Sequence, residues 1–213
     1  MFGCDRAIRF SSNVFFSEKY EGRRLNTYRR HKDNKKVNTY GYVCFAYTDV
    51  WYDWCISKVS GSQWSHAFIT IPPIVGREMV LEAVKNGVSA CPFDREYKGN
   101  PKVKYEVYRF NGSTDKIDAA ISKCMNRLET SYGFLEYPWL MWRFINGWFG
   151  RDIKSHNNWC RQGIVCSGLV RNFIEEAGFD FFSDFGRDSV TPGDAYAVVK
   201  AHPELFQLIE SQY

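Results

Sequence analysis

The stretch that most constrains this chain is IVCSGLVRNFIEEAG, Ile164 to Gly178. Leu169, Val170, Phe173, Ile174 and Ala177 recur at helical spacing, with Arg171, Asn172, Glu175 and Glu176 between them. That pattern predicts an amphipathic helix with one buried face. Gly178 stands where a helix C-terminus favours glycine. Cys166 then falls in the first turn, beside the small residues Ser167 and Gly168. The unpaired N–H groups and partial positive charge of a helix start favour the thiolate, which is the nucleophilic form of cysteine. Small neighbours leave room for a carbonyl to approach the sulfur. Cysteine is also among the most buried residue types, so this segment taken alone fits an inert packing residue equally well.

A partner for the sulfur lies a hundred residues earlier. His66 opens the apolar run SHAFITI, directly after the turn signal Ser60-Gly61-Ser62. A histidine at a strand mouth points from the sheet edge toward whatever packs over it. Glu82 sits in the next strand-like run, MVLEAV, where an ionisable group needs a partner or an altered pKa. A link of two prolines and Gly76 between the runs suits a hairpin. In a hairpin Glu82 comes within reach of the ring nitrogen of His66 that faces away from the sulfur. That is the thiol–base–orienter arrangement of cysteine hydrolases. Read blandly, His66 is a satisfied structural histidine and Glu82 a solvent-facing strand residue. Among the other histidines (31, 156, 202), His156 in SHNNW is the rival base.

Residues Tyr40–Tyr47 read as a buried strand and Val50–Val59 as a helix that Asp49 can cap. Two strand-like runs follow at Ser65–Ile71 and Met79–Val84, with a tight turn at Asn86-Gly87 and an alternating strand at Val103–Phe110. Helices are expected over Lys116–Leu128, over the Cys166 segment and from Pro192 to about Ala201, where Thr191-Pro192-Gly193-Asp194 is a start signal. The tail from Pro203 is expected to pack on the body. Strands gathered together and then helices argue an α+β fold with a small antiparallel sheet against helices. The expected division is a basic extension over residues 1–38 and a single domain over residues 39–213.

Seven scattered cysteines without a CxxC pair argue against a zinc site and against a disulfide framework. No metal and no cofactor is expected. Residues 1–36 carry a net charge of +6 within a whole-chain +4, so the remainder is slightly acidic. Arg23, Arg24, Arg29 and Arg30 are therefore candidates for an anionic partner, against the plainer reading of a solvated loop. No apolar run reaches the length of a membrane span. The opening MFGCDRAIRFSSN lacks the apolar core of a secretory signal, so the expectation is synthesis in the cytosol, compatible with a virion-associated or phage-delivered protein. The aromatic run Tyr137–Phe149 reads as core, as a lid over a cleft or as an interfacial helix.

The run VCSGLV resembles the nucleophile segment of NlpC-type papain-like amidases, in which Cys-Ser-Gly-Leu-Val opens the helix packed on a small sheet. In ordinary members the cysteine precedes the histidine. Here His66 comes first, which is similar to the circularly permuted YiiX/YebB-like branch, related to the lecithin retinol acyltransferases. Ser65-His66, Leu81-Glu82-Ala83 with Asn86-Gly87-Val88, Tyr132-Gly133-Phe134 and Val165–Val170 follow that branch's order over residues 40 to 200. The resemblance implies a permuted papain-like fold with Cys166 as nucleophile, His66 as base and Glu82 as the third member. Tyr132 would lie near the thiol and the oxyanion, with the backbone N–H of Cys166 or Ser167 as a further donor. Trp64, Ser167, Trp139 and Trp142 are the candidates for substrate contact. Ala67-Phe68 departs from the small pair usual after the histidine, and Val165 replaces an acid common before the cysteine. The function so implied is hydrolysis of an amide bond in a peptide, a peptidoglycan peptide or an acyl-amide. The alternatives are an acyltransferase or thioesterase using the same pair, and a non-catalytic virion- or nucleic-acid-associated module.

Overall fold

The computed structural model describes residues 39–48, 51–130, 142, 146, 165–185 and 190–213, with the backbone alone at 51, 52, 55 and 59. Its elements in chain order are β1 (Tyr42–Thr48), α1 (Trp51–Ser60), β2 (His66–Ile74), β3 (Arg77–Val84), β4 (Gly87–Pro92), a π-helical turn (Asp94–Lys98), β5 (Val103–Phe110), α2 (Thr114–Met125), α3 (Cys166–Glu176), α4 (Pro192–Ala201) and β6 (Phe206–Gln212). The six strands make one antiparallel sheet in the order β4-β3-β2-β1-β5-β6. Strands grouped with helices elsewhere in the chain give the α+β class.

Strand alternation divides the buried residues between two faces. Val43, Phe45, Ala67, Ile69, Ile71, Leu81, Tyr108 and Phe110 point into the larger core, where they meet Ile117, Ala120 and Ile121 of α2, Leu169, Val170, Phe173 and Ile174 of α3, and Ala195 and Val199 of α4. Cys44, Ala46, Phe68, Val80, Cys91, Val103, Tyr105 and Val107 form a smaller core on the opposite face, closed by Phe93 and Tyr97. The central strands are apolar on both faces for this reason.

Helix α3 follows the expected periodicity, and Leu169, Val170, Phe173, Ile174 and Ala177 are all fully buried. Each of the four larger side chains contributes about 1.5–3 kcal/mol of burial, more than differences in helix propensity, so packing holds this helix in place. Gly178 follows it with φ 93°, a left-handed conformation that favours glycine. Gly41, just before β1, has φ 74°, and a Cβ there would stand 2.4 Å from Ile117 Cγ2. Its bare backbone lets the start of β1 pass beneath α2. Helix α4 opens with a reciprocal box in which Thr191 Oγ1 accepts from the Asp194 N–H and the Asp194 carboxylate accepts from the Thr191 N–H.

Several elements differ from expectation. The β2–β3 hairpin runs through both prolines, with its tip at Val75-Gly76. Pro72, Pro73 and Ile74 lie where the ladder shifts register, so the missing proline N–H groups are tolerated. The chain after Pro203 adds a sixth strand on β5. The expected cap Asp49 lies outside the described residues. At the head of α1, Asp53 accepts from both the N–H and the hydroxyl of Thr48. The extension over residues 1–38, with Arg23, Arg24, Arg29 and Arg30, lies outside the described residues, as does most of Tyr137–Phe149.

Candidate active site

The start of β2 is fixed by its pairing with β1. Ser65 donates its N–H to the Ala46 carbonyl at 3.1 Å, and His66 is the first residue of the ladder, opposite Ala46. His66 shares a face with Phe68, so its ring leaves the sheet on the side of the smaller core. Its side chain is 19% exposed, which leaves one edge of the imidazole open to solvent. On β3 the register Ile69↔Leu81 places Glu82 on that same face, diagonal to His66. A long side chain spans that diagonal, and His66 Nε2 meets Glu82 Oε2 at 3.0 Å.

Cys166 is the first residue of α3, after the extended Val165. The helix packs on β2, which brings its N-terminus to the mouth of that strand. The Cys166 thiol hydrogen-bonds the imidazole of His66, and the backbone N–H groups of Ala67 and Ser167 also donate to the sulfur. Since Nε2 is held by Glu82, Nδ1 is the nitrogen left for sulfur. Two stretches a hundred residues apart thus form a chain of contacts from thiol to imidazole to carboxylate.

The carboxylate is itself held from below. Glu82 is 5% exposed and accepts from Cys91 Sγ on β4 at 3.0 Å and from the Tyr97 hydroxyl of the π-helical turn, besides His66. Phe68 stacks on Tyr97 with ring centroids 4.2 Å apart, which fixes the phenol under the carboxylate. A buried ion is tolerated when its lone pairs are satisfied in this way.

At His66, Cys166 and Glu82 burial and hydrogen bonding oppose each other, and hydrogen bonding wins. Burial alone would lower the pKa of His66, but its contacts with Cys166 and Glu82 carry it up to about 10. Burial alone would raise Cys166, yet His66 and the two backbone donors hold it below the usual thiol value. Glu82, also pushed upward by burial, is drawn below the ordinary carboxylate value by His66, Tyr97 and Cys91. Burial and the neighbouring Glu82 push Tyr97 well up, so its hydroxyl stays a donor. The favoured state is thiolate, imidazolium and carboxylate together.

The other sequence candidates are placed as follows. Ser167 is buried and its hydroxyl donates to the Val190 carbonyl at 2.5 Å, so its backbone N–H, and not its side chain, faces the sulfur. Trp64 packs in the helix-side core, 1% exposed, between Tyr196 and Tyr213. It borders a cavity of about 310 Å³ with Trp54 and Lys104, and neither Cys166 nor His66 lines that cavity. Trp64 is thus a packing residue away from the imidazole, because the turn before β2 folds its ring under α4. Trp142 is 54% exposed. Tyr132, Trp139 and the rival base His156 lie outside the described residues. His202 follows the last residue of the helix Pro192–Ala201 and pairs with the exposed Glu204. Sequence reasoning missed Cys91 and Tyr97. The alternation in Gly87–Pro92 signalled a strand that sets Cys91 on the Glu82 face, whereas Tyr97 in DREYKGN carries no signal of burial.

Among the described residues no helix is long and apolar enough to cross a membrane, and no group of three or more His, Cys, Asp or Glu side chains is placed to hold a metal. The fold and site define an α+β protein with a buried Cys–His–Glu chain at the junction of a helix start and a strand start. No family model matches the sequence, and no curated protein matches it. One structural neighbour is the metalloprotein yiiX from Escherichia coli O157:H7, at 15% identity and a TM-score of 0.48, over 83% of this chain and 99% of that one.

Proposed function

We propose that the chain is a cysteine hydrolase of permuted papain-like type, cleaving an amide bond in a peptide, a peptidoglycan peptide or an acyl-amide. The observation that carries this reading is the continuous contact from the Cys166 thiol through His66 to Glu82 at 3.0 Å. A buried structural cysteine gains nothing from a neighbouring imidazole whose far nitrogen is clamped by a carboxylate. A nucleophile needs both.

In this mechanism the Cys166 proton already rests on His66 Nδ1, and the thiolate forms a C–S bond to the substrate carbonyl carbon. The carbonyl π electrons move to oxygen, and the backbone N–H of Cys166 or Ser167 donates to that oxyanion. Collapse of the tetrahedral species breaks the C–N bond, and the imidazolium gives its proton to the leaving amine. Water then enters, loses a proton to His66 and attacks the thioester. The acid departs and Cys166 regains the thiolate, which the His66 cation holds. Glu82 remains ionised, fixing the tautomer of the ring and stabilising its cation.

Reaction with a panel of peptidyl acyloxymethyl ketones, followed by mass spectrometry, tests the reading. Label is expected on Cys166, and Cys166→Ala and His66→Ala each abolish it while keeping the wild-type circular dichroism spectrum. Label on a different cysteine, or undiminished label in His66→Ala, overturns the assignment.

A further inference from the structure

The Glu82 carboxylate is bonded on both oxygens, and two of its three donors are residues that bond neither the sulfur nor an imidazole nitrogen. Oε1 accepts from Cys91 Sγ at 3.0 Å, and Oε2 accepts from both the Tyr97 hydroxyl and His66 Nε2. The two donors arrive from different elements. Cys91 lies on β4, where the pairing Glu82↔Ser89 sets it one step along the same face. Tyr97 comes from the π-helical turn Asp94–Lys98, whose end is tied by the Gly99 N–H to the Asp94 carbonyl and by the Asn100 N–H to the Tyr97 carbonyl. Both side chains are nearly or wholly buried, as is the carboxylate. The Tyr97 ring lies flat against Phe68 at 4.2 Å and parallel to the His66 ring, 8° apart in plane, at 6.5 Å.

We propose that Tyr97 and Cys91 are positioning residues of this site: two donors on the far side of Glu82 that hold its carboxylate toward His66 and thereby maintain the thiolate–imidazolium pair. The proposal rests on the hydrolase reading and deepens it.

The physical argument is one of alternatives. A buried carboxylate stripped of donors either takes up a proton or turns toward another donor. In both cases His66 loses the charge facing Nε2, its cation is no longer favoured, and the proton returns to sulfur. With Tyr97 and Cys91 in place neither escape is open, since the lone pairs that would bind a proton are already accepting hydrogen bonds. Of the two, Tyr97 contributes more, because a phenol is a strong donor and a thiol a weak one. The titratable groups facing Glu82 from the elements packed on it are His66 on β2, Cys91 on β4 and Tyr97 on the turn. Cys44 on β1 acts on Tyr97 from one layer further.

The test needs no substrate. The rate of Cys166 alkylation by iodoacetamide, followed by mass spectrometry at its own peptide, is measured from pH 4 to pH 10 and reports the thiolate fraction. The wild type is expected to react with an acid-side midpoint below that of an ordinary thiol. Tyr97→Phe moves that midpoint upward and slows alkylation on the acid side about tenfold or more, the size of a lost hydrogen bond to a charged group. Cys91→Ala moves it less, and Cys91→Ser, which keeps a donor, restores the wild-type curve. A purely structural role would lower the melting temperature of these variants and leave the midpoint where it was. Wild-type midpoints in both Tyr97→Phe and Cys91→Ala, beside a shifted midpoint in Glu82→Gln, overturn the positioning role alone. An ordinary thiol midpoint in the wild type, unmoved by His66→Ala, overturns the hydrolase reading and this proposal with it. Should Tyr97→Phe fail to fold, the contrast between Cys91→Ala and Cys91→Ser decides by itself.

Discussion

Two strands of the same sheet each bury a glutamate, and the two have different surroundings. Glu82 on β3 is 5% exposed and Glu106 on β5 is 4% exposed. Each accepts a hydrogen bond from a buried tyrosine, Tyr97 for Glu82 and Tyr108, at 2.5 Å, for Glu106. The Tyr108 hydroxyl is pushed far up by burial, by Glu106 and by Tyr196, so it too remains a donor. There the likeness ends. Glu106 faces the helix-side core, among Phe45 and Tyr196, whereas Glu82 faces the smaller core beside an imidazole that reaches a helix-start thiol. The two described histidines bond Glu82 and Glu204. A buried carboxylate satisfied by a tyrosine is thus a structural unit that this fold uses twice. What sets one copy beside an imidazole is the face of the strand on which it sits.

The comparison breaks most sharply under charge removal. Glu82→Gln should lower the rate of Cys166 labelling at neutral pH by about 100- to 10,000-fold, since the ring loses both its tautomer control and its counter-charge. Glu106→Gln should leave that rate unchanged and cost about 1 kcal/mol of stability by urea unfolding. Equal effects of the two substitutions on labelling would mean that the carboxylates are alike after all.

The dependence of stability on pH sharpens the same contrast. In the unfolded chain the imidazole releases its proton near 6.5 and the thiol near 9.0. Between those values, wherever the folded thiol has given up its proton, the unfolded pair holds one proton, on sulfur, and the folded pair also holds one, on the ring. Equal proton counts give no slope. Above 9.0 the unfolded pair holds none while the folded imidazolium keeps its proton up to about 10, so stability falls as pH rises through that interval. On the acid side Cys166, lowered from 9.0, regains its proton only as pH falls through its folded value, and the stability its lowering supplies is lost there. Glu82, lowered from 4.5, adds to that acid loss. Urea midpoints should therefore trace a plateau that ends at 9.0, with a decline from there to about 10 and a second decline in acid. A steady slope across the plateau would show that thiol and ring titrate separately.

The smallest effect expected is at a control residue bonded to neither Glu82 nor Glu106. Thr191→Ala removes the box that opens α4 and should cost about 1 kcal/mol in thermal or urea unfolding, with Cys166 labelling unchanged.

How much of this was legible in the sequence follows from the range of each interaction. Periodicity is local, so Leu169 through Ala177 announced α3 and Val103–Phe110 announced β5, residue for residue. The capping residues Thr191 and Asp194 act within one turn and could be read directly. Cys166, His66 and Glu82 were visible because a nucleophile, a base and an acid have distinct side chains, and because a hairpin relates two of them. Tyr97 was hidden for the opposite reason. Its loop is polar along the chain, and the phenol is buried only because β2 and β3 lie above it. Trp64 showed an aromatic beside a candidate base, and three-dimensional packing turned it into the other core. The paired edge strand β6 carries alternation too weak to separate from a tail, with Leu208 and Ile209 adjacent and both exposed.

The central claim is that thiol, imidazole and carboxylate share charge as one unit, and the protonation state of His66 reports it most directly. Nitrogen-15 chemical shifts of the His66 ring at pH 8, in the full-length protein, should show a proton on both nitrogens and lose one of them in Glu82→Gln. A neutral ring at that pH in the wild type would contradict the account.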